Sequence, residues 1–258
     1  MRRADTVVTE NIEIARNIFQ LSFKGDIVKE MKEPGQFLHL RASDQYIPLL
    51  RRPISICDVN LEKQECTMLY RADGEGTTLL SEKRQGDNLD VLGPLGNGFP
   101  LDSVEKGETA LLVGGGIGVP PLYYLSKKLV EKGVKVIHVL GFGSAEDSFY
   151  EQNFNELGET VITTIDGSVG FQGFVTDYMR KEHPSYDVLY ACGPTPMLNA
   201  LEQQLHPERA YFSFEERMGC GIGACFACVC HVQGDETGTS YKKVCSDGPV
   251  FPVGVIQL

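Results

Sequence analysis

The chain has 258 residues, of which 42% are hydrophobic, and a formal net charge of −11 at pH 7. This length suggests two domains with a small appendage, and the acidic balance argues against binding nucleic acid or an anionic membrane surface. No apolar signal region follows the first residues. The most apolar stretch, 110–125, is interrupted by glycines and prolines and is shorter than a bilayer span. The sequence therefore predicts a cytoplasmic protein whose cysteines are free or metal-bound rather than paired in disulfides.

The first hundred residues consist of short segments rich in β-branched and aromatic residues, separated by turn sequences such as "KGD" and "EPG". Segments 5–23 and 35–42 are examples, and only 77–84 has a helical pattern. Short strands at this spacing predict a small antiparallel β-barrel. We assign this predicted domain to residues 1–101.

From residue 102 onwards, apolar strand patterns alternate with helical patterns. Such alternation predicts βαβ units, and therefore a parallel sheet with helices on both faces, over residues 102–212. The predicted strands are 109–116, 135–143, 160–165, 186–193 and 209–214, and the predicted helices are 120–133, 146–157, 175–182 and 195–205.

A glycine-rich segment with four cysteines, "ERMGCGIGACFACVC" at 216–230, opens a third module that we assign to 213–258. Three cysteines have the spacing Cys220-x₄-Cys225-x₂-Cys228, and Cys245 follows at a distance. This is the ligand pattern of plant-type 2Fe–2S clusters, and small residues let the backbone curl closely around such a cluster. A structural zinc site is the less favoured alternative. Cys230 remains a possible competitor of Cys245 as fourth ligand, although a buried apolar role is favoured.

Two turns in the α/β region are candidates for binding a dinucleotide. The first contains Gly115, Gly116 and Gly118 before a helix that starts with prolines, and the second is "ACGPTPM" at 191–197. Both follow predicted parallel strands, at the edge where open α/β sheets bind ligands. Either turn alone is equally consistent with a tight connection that binds nothing.

Acidic residues after two of the strands leave further questions open. Glu146 and Asp147 would repel a 2′-phosphate and no arginine is near them in the sequence, so NADH is favoured over NADPH, although an acidic helix start is an equal alternative. Glu215 and Glu216 are interpreted as a solvated pair that could instead approach a nicotinamide. The five histidines show no metal-ligand spacing.

In the barrel, "RRPISI" at 51–56 and "DGEGTT" at 73–78 combine groups that can bind phosphate. The Arg52 guanidinium can pair with phosphate oxygens, and Ser55 lies on the same predicted strand. The glycines and hydroxyls of the second segment begin the predicted helix. A surface arginine and an ordinary helix cap explain the same residues equally well.

Taken together, four motifs occur in the order seen in the ferredoxin–NAD(P) reductase superfamily: "RPIS" at 52–55, "GEGT" at 74–77, "GGGIG" at 114–118 and "CGP" at 192–194. With the cysteine motif, almost the entire chain resembles the electron-transfer subunits of class B dihydroorotate dehydrogenases. The resemblance implies FAD on the barrel, NADH on the α/β domain and a 2Fe–2S cluster on the third module. The residues it implies for FAD are Arg52, Pro53, Ile54, Ser55, Leu69, Tyr70, Arg71, Gly74, Gly76, Thr77 and Thr78; for NADH they are Gly115, Gly116, Gly118, Cys192, Gly193 and Pro194; for the cluster they are Cys220, Cys225, Cys228 and Cys245.

The resemblance also implies a partner: an FMN-containing dihydroorotate dehydrogenase catalytic subunit of pyrimidine biosynthesis, in a heterotetramer of two plus two chains. Apolar residues of the cysteine loop, Met218, Ile222 and Phe226, are candidates for that contact. No catalytic acid or base is predicted. The alternatives are an NAD(P)H-linked reductase subunit of a sulfhydrogenase or ferredoxin-linked complex, and a zinc-stabilised interaction module without enzymatic activity.

Overall fold

The computed structural model describes residues 1–43 and 45–258. Its N-terminal part is a closed antiparallel barrel with the strand order β1-β2-β5-β4-β3-β6. The barrel core is apolar and includes Leu21, Phe23, Ile56 and Met68. The strands are β1 (Arg2–Ala15), β2 (Ile18–Lys24), β3 (Phe37–Leu40), β4 (Arg52–Asn60), β5 (Glu65–Arg71) and β6 (Asn88–Leu95), and helix α1 (Glu75–Ser81) lies between β5 and β6.

The second part is a seven-stranded sheet flanked by helices. Its strand order is β10-β9-β8-β7-β11-β12-β15, parallel except for the last strand, and β13 pairs separately with β14. The elements are β7 (Thr109–Gly115), α2 (Pro120–Glu131), β8 (Lys135–Phe142), α3 (Glu151–Asn155), β9 (Glu159–Thr164), β10 (Phe171–Gln172), α4 (Val175–Glu182), β11 (Val188–Cys192), α5 (Thr195–Leu205), β12 (Ala210–Ser213), β13 (Val229–His231), β14 (Tyr241–Lys243) and β15 (Val250–Pro252).

Neighbouring residues of the central strand β7 are buried in different apolar clusters. Leu112 packs in the cluster that contains Leu122 of α2 and Phe154 of α3. Leu111 packs in the cluster that contains Met179 of α4 and Leu198 of α5. Because successive side chains of a strand point to opposite faces, the helices cover both faces of the sheet. The predicted barrel and parallel sheet are both confirmed.

Helix α2 joins the barrel to the sheet. The Tyr124 hydroxyl donates to the Met31 carbonyl oxygen at 3.2 Å, and the Lys127 ammonium lies 2.6 Å from an Asp58 carboxylate oxygen. Tyr124 is buried among the barrel residues. These contacts hold the barrel against helix α2, which covers one face of the parallel sheet.

The C-terminal segment returns to both domains. Strand β15 adds antiparallel to β12 at the edge of the sheet. The Asn97 side-chain amide, which follows the last barrel strand, donates to the carbonyl oxygens of Ser246 and Asp247 at 3.0 and 3.1 Å. The cysteine loop therefore lies against the junction of barrel and sheet and not at the end of a separate tail.

Two predicted elements differ from the structure. The segment 5–23 is a hairpin of two strands, because the chain reverses at Arg16 and Asn17, where Asn17 has a φ of 58°. The predicted helix 146–157 contains only α3, because Tyr150 has a left-handed φ of 62° just before it. Strands β10, β14 and β15 were not predicted. Among the described residues, no helix has the length and apolar character needed to cross a bilayer.

Candidate functional site

A cavity of about 870 Å³ lies where the barrel, the β7–α2 turn and the start of the cysteine loop meet. The barrel provides one wall, Ile117 of the turn another, and Met218 of the loop a third. Of the residues predicted to bind FAD, the cavity is lined by Arg52, Pro53, Ile54, Ser55, Leu69, Tyr70, Arg71 and Gly74.

Gly76, which does not line this cavity, supports the position of Arg52. A Cβ atom at Gly76 would lie only 2.2 Å from Arg52 Nε, so the guanidinium packs directly on the helix backbone. The Arg71 guanidinium also lines the cavity and lies 3.6 Å from where a Cβ atom at Gly116 would be. Two cations lining one open cavity fit the pyrophosphate of a dinucleotide cofactor.

The other predicted flavin residues have structural contacts. The Thr77 hydroxyl interacts with the backbone of Gly74 at the start of α1, at 3.1 and 3.0 Å, and thereby caps the helix. Thr78 is exposed and does not line the cavity. The Tyr70 hydroxyl donates to Asn11 Oδ1 at 3.1 Å inside the barrel. Since that hydroxyl already has a partner, Tyr70 contributes a wall and not a free polar group.

Several cavity residues were missed or misinterpreted in the sequence. Phe37 and Arg217 line the cavity without any local motif. Glu215 and Glu216, interpreted as a solvated pair, also line it. Glu215 is open to water through the cavity but closely surrounded by protein, and this burial raises the pKa of its carboxyl while the charge of Arg71 opposes the shift. Glu215 therefore lines the cavity while its side chain stays exposed to solvent.

A second cavity of about 550 Å³ lies along the carboxyl ends of β7, β8 and β9. Gly115, Gly116 and Pro194 of the predicted nucleotide set line it. Three lining residues that were not predicted are Phe174, which precedes α4, and Asp177 and Arg180 of α4. The Arg180 side chain pairs with the Asp177 carboxylate. Helix α4 begins beside this strand edge, which the sequence pattern could not place.

Gly118, Cys192 and Gly193 do not line this second cavity. They lie where the turn after β7 packs against the turn after β11. A Cβ atom at Gly118 would lie 2.5 Å from the Cys192 carbonyl carbon and 2.6 Å from Gly193 Cα. The Cys192 side chain is buried, and burial raises the pKa of its thiol well above the usual value. Their role in the structure is to let two strand ends approach closely.

The acidic pair predicted to repel a 2′-phosphate is neutralised by an arginine from the barrel. Arg16 in the β1–β2 turn binds Glu146 Oε2 at 3.0 Å and Asp147 Oδ1 at 2.6 Å. Neither carboxylate lines the second cavity, although Asp147 lies against Gly143, which does. The expectation that no arginine is near these carboxylates is therefore wrong, because the guanidinium comes from a residue distant in sequence.

Backbone amides of the cysteine loop are aimed at thiol sulfurs. Cys220 Sγ accepts from the N–H groups of Ile222 at 3.4 Å and Cys225 at 3.3 Å. Cys225 Sγ accepts from the Cys220 N–H at 3.5 Å, and Cys245 Sγ accepts from the Gly223 N–H at 3.2 Å. Such amide donors stabilise the negative charge on cysteine thiolates and on cluster sulfurs, so the donor set fits an iron–sulfur cluster.

The thiols differ in burial and in acidity. Burial favours the neutral form of Cys220, but the amides of Ile222 and Cys225 outweigh it and lower its pKa to about 6. Burial and the adjacent Cys228 thiol raise the pKa of Cys245 to about 11. Cys228 and Cys245 are buried, whereas Cys220 and Cys225 are partly exposed. One side of the predicted cluster site is therefore closed by protein and the other lies near the surface.

The contacts favour Cys245 over Cys230 as fourth ligand. Cys245 contacts Cys228 and receives a loop amide, whereas no loop amide is directed at Cys230 among the described residues. Burial and the charge of Glu216 raise the pKa of Cys230 to about 11. In the described part of the chain no three His, Cys, Asp or Glu side chains are grouped for a single metal ion. A two-iron cluster fits this arrangement because its four ligands are shared between two irons.

Known proteins with similar sequences share this plan. Residues 215–257 match the family described as the iron-sulfur cluster binding domain of dihydroorotate dehydrogenase B. The whole chain is 57% identical over 258 residues to the dihydroorotate dehydrogenase B (NAD(+)) electron transfer subunit of Bacillus mycoides strain KBAB4. It is 58% identical to the protein of the same name from Bacillus cereus strain B4264. Both alignments cover 100% of this chain and 100% of the relative.

Solved structures have the same fold. A chain of the NADH-dependent reduced ferredoxin-NADP oxidoreductase superposes with a TM-score of 0.86 at 30% identity, over 98% of this chain and 90% of that one. A cytochrome P450 reductase of Amycolatopsis superposes with a TM-score of 0.68 at 22% identity, over 82% of this chain and 70% of that one. The second similarity concerns the fold alone.

The packing of Arg52 on Gly76 predicts the effect of adding one methyl group. Gly76→Ala should weaken FAD binding by about tenfold to hundredfold, because the Cβ atom displaces a guanidinium whose hydrogen bond to a charged group contributes roughly 1.5–3 kcal/mol. Alanine favours a helix over glycine, so the fold should be retained. Flavin content after gel filtration and a fluorescence titration with FAD measure the effect. Glu75→Ala on the same helix is the control, and equal FAD affinity of both variants would contradict the prediction.

The cysteine contacts predict different outcomes for two serine variants. Cys245→Ser should lose most of its iron and keep FAD, because a thiolate supplies one of the four bonds to the cluster. Cys230→Ser should keep both. Iron and sulfide analysis of anaerobically purified protein, with flavin absorbance as internal reference, gives the answer. Iron loss in Cys230→Ser together with retention in Cys245→Ser would reverse the assignment.

The ion pairs of Arg16 predict how nucleotide preference can be shifted. Replacing both carboxylates, Glu146→Gln with Asp147→Asn, leaves the guanidinium without acidic partners beside the second cavity. The kcat/KM ratio of NADH to NADPH in dye reduction should fall a few-fold, because exposed charges interact weakly. Adding Arg16→Gln to the same variant should restore the ratio. A ratio that is unchanged by the double replacement would show that this group of charges is remote from the bound nucleotide.

Proposed function

The chain belongs to the family of dihydroorotate dehydrogenase B electron transfer subunits, and on that premise we propose that it passes electrons from NADH, through FAD and a 2Fe–2S cluster, to the FMN of a dihydroorotate dehydrogenase catalytic subunit. One observation carries this proposal: the three predicted binding regions meet around a single cavity. Arg52 belongs to the barrel, Ile117 to the β7–α2 turn, and Met218 precedes the first cluster cysteine by two residues. Groups bound at the three sites would be close enough for electron transfer.

The barrel side of the large cavity holds FAD. Arg52 and Arg71 supply positive charge for its pyrophosphate, and Ser55 and Ile54 line the same cavity. When bound, the flavin and the cluster supply the conversion of one hydride into two single electrons. Glu215, with its raised pKa, places a carboxyl in the same cavity. Phe37 and Met218 cover apolar surface, which excludes water from the part of the cavity next to the loop.

The second cavity holds NADH. Gly115, Gly116 and Pro194 bring the backbone close to the dinucleotide at the carboxyl ends of β7 and β11. The tight crossing at Gly118 and Gly193 lets the two turns form one surface. Because Ile117 lines the flavin cavity while its neighbour Gly116 lines the nucleotide cavity, the β7–α2 turn separates the two sites by one residue. The nicotinamide end of the dinucleotide reaches the flavin past this turn.

The cysteine loop holds the cluster through Cys220, Cys225, Cys228 and Cys245. The buried pair faces the protein, and the partly exposed pair lies near Ile222 and Phe226, whose side chains are 47% and 58% exposed. Electrons therefore enter from the flavin side and leave at the surface. Met218, predicted for the same partner contact, instead lines the flavin cavity.

We further propose that the chain is cytoplasmic and assembles with the FMN-containing catalytic subunit as a heterotetramer of two plus two chains. The proposed division is 1–101 for FAD, 102–212 for NADH and 213–258 for the cluster. This division assigns each of the three described domains to a cofactor. Oxidation of dihydroorotate, and the reverse reduction of orotate, are therefore assigned to the partner in pyrimidine biosynthesis.

This division of labour predicts how the purified chain behaves alone. It should reduce an artificial dye with NADH but show no orotate-dependent oxidation of NADH until the catalytic subunit is added. Flavin and iron–sulfur absorption bands, measured first, establish that the cofactors are present. Orotate turnover by the chain alone, at rates matching dye reduction, would refute the proposal. Restoration of activity by ferredoxin and not by the dihydroorotate dehydrogenase subunit would indicate a ferredoxin-linked reductase instead.

A further inference from the structure

His39 is a buried side chain that the proposed function does not use. It lies on β3, its side chain is 1% exposed, and neither Nδ1 nor Nε2 has a hydrogen-bond partner of good geometry. Burial, followed by the charge of Arg51, lowers its pKa to about 4, while the backbone of Arg51 and of Cys220 opposes the shift. An imidazole carries at least one N–H group in either protonation state. A buried N–H and a buried nitrogen acceptor without partners are costly and need an explanation.

The imidazole lies directly under the cysteine loop. A Cβ atom at Gly221 would be 2.5 Å from His39 Nδ1 and 3.1 Å from Cε1, so the loop backbone rests on the ring between Cys220 and Ile222. Gly221 also has a φ of 71°, a conformation that favours glycine. The loop is thus shaped to approach this histidine at the residue that follows the first cluster cysteine.

Neighbours of His39 line the flavin cavity, although His39 itself does not. His39 is the cross-strand partner of Pro53, which lines that cavity. Phe37, two residues earlier and therefore on the same face of β3, lines the cavity and packs in the apolar cluster that contains Cys228 and Cys245. His39 therefore stands between the flavin wall and the cysteine loop.

The backbone of His39 is fixed independently of its ring. Arg51 Nη1 donates to the His39 carbonyl oxygen at 3.2 Å, and Arg51 Nη2 pairs with the Asp90 carboxylate at 2.8 Å. Strand pairing with β4 and β6 holds the rest of β3. These contacts hold the His39 backbone without using the ring, whose nitrogens have no partner of good geometry and lie against the loop backbone at Cys220 and Gly221.

We propose that His39 is a positioning residue for the iron–sulfur cluster: its ring sets the distance between the cysteine loop and the flavin barrel, and its N–H stabilises the negative charge gained on reduction. Hydrogen bonds to cluster sulfurs and burial are the main means by which a protein tunes a cluster potential. This inference rests on the proposed cluster ligands and assigns a role to a residue outside the cysteine motif.

The test compares His39→Leu, which removes the donor, with His39→Gln, which keeps an N–H donor. The midpoint potential of the cluster is measured in the full chain with its cofactors, by redox titration followed by electron paramagnetic resonance. We expect a more negative potential for His39→Leu, because the reduced state loses a hydrogen bond, and a value nearer that of the unmodified chain for His39→Gln. His138→Leu is the control: His138 is equally buried, but both of its ring nitrogens are paired, with Ser126 and Thr160.

Each outcome decides the proposal. Loss of iron in His39→Leu together with retention in His39→Gln also supports the donor role, since only the hydrogen-bonding variant holds the loop. The proposal is overturned if the cluster potential of His39→Leu is unchanged, or if both His39 variants shift equally or both lose iron. It is also overturned if His138→Leu shows the same shift as His39→Leu. Iron and sulfide analysis of the unmodified chain separates this failure from a failure of the proposed function, because a chain without a cluster would refute the latter.

Discussion

The docking of the barrel on helix α2 is the constraint on which the other sites depend. Tyr124 and Lys127 of this helix reach across to Met31 and Asp58 of the barrel. The same helix covers one face of the parallel sheet through Leu122. A single rigid element thus holds the barrel against the parallel sheet. Without this contact, the arginines proposed to bind phosphate and the glycine turns would lie on two separate surfaces and would not share a cavity.

Sequence reasoning succeeded where the chemistry is local. The "RPIS" segment is a compact local motif that lines the cavity, and the cysteine spacing indicates a cluster because three ligands lie on one loop. The barrel and the sheet were also predictable, since strand length and alternation are local properties. The bounds of individual elements were less predictable. Tyr150 interrupts the predicted helix 146–157, and its hydroxyl donates to Gln20 Oε1 of the barrel at 2.6 Å, a contact between domains that the local sequence does not show.

The interactions that sequence reasoning missed are those between distant segments. Arg16 of the barrel pairs with Glu146 and Asp147, although no arginine is near them in the sequence. Glu215, interpreted as a solvated charge, is exposed but also lines the cavity between barrel and sheet. The position of His39 under the cysteine loop could not be predicted from the sequence, because it depends on the contact between its ring and Gly221, which is distant in sequence.

The uneven burial of the four cysteines would give electron transfer through the proposed cluster a direction. Cys228 and Cys245 lie in the apolar cluster with Phe37, on the side of the flavin wall, where low polarity strengthens each hydrogen bond to sulfur. The opposite side is held at the surface by Lys243, whose ammonium donates to the Gly223 carbonyl oxygen at 2.8 Å and lies 4.7 Å from the centre of the Phe226 ring. This clamp orders the outer part of a glycine-rich loop without covering it. A loop that is buried at one side and ordered but open at the other can accept an electron inside the protein and present it to a second protein, which is what an electron transfer subunit requires.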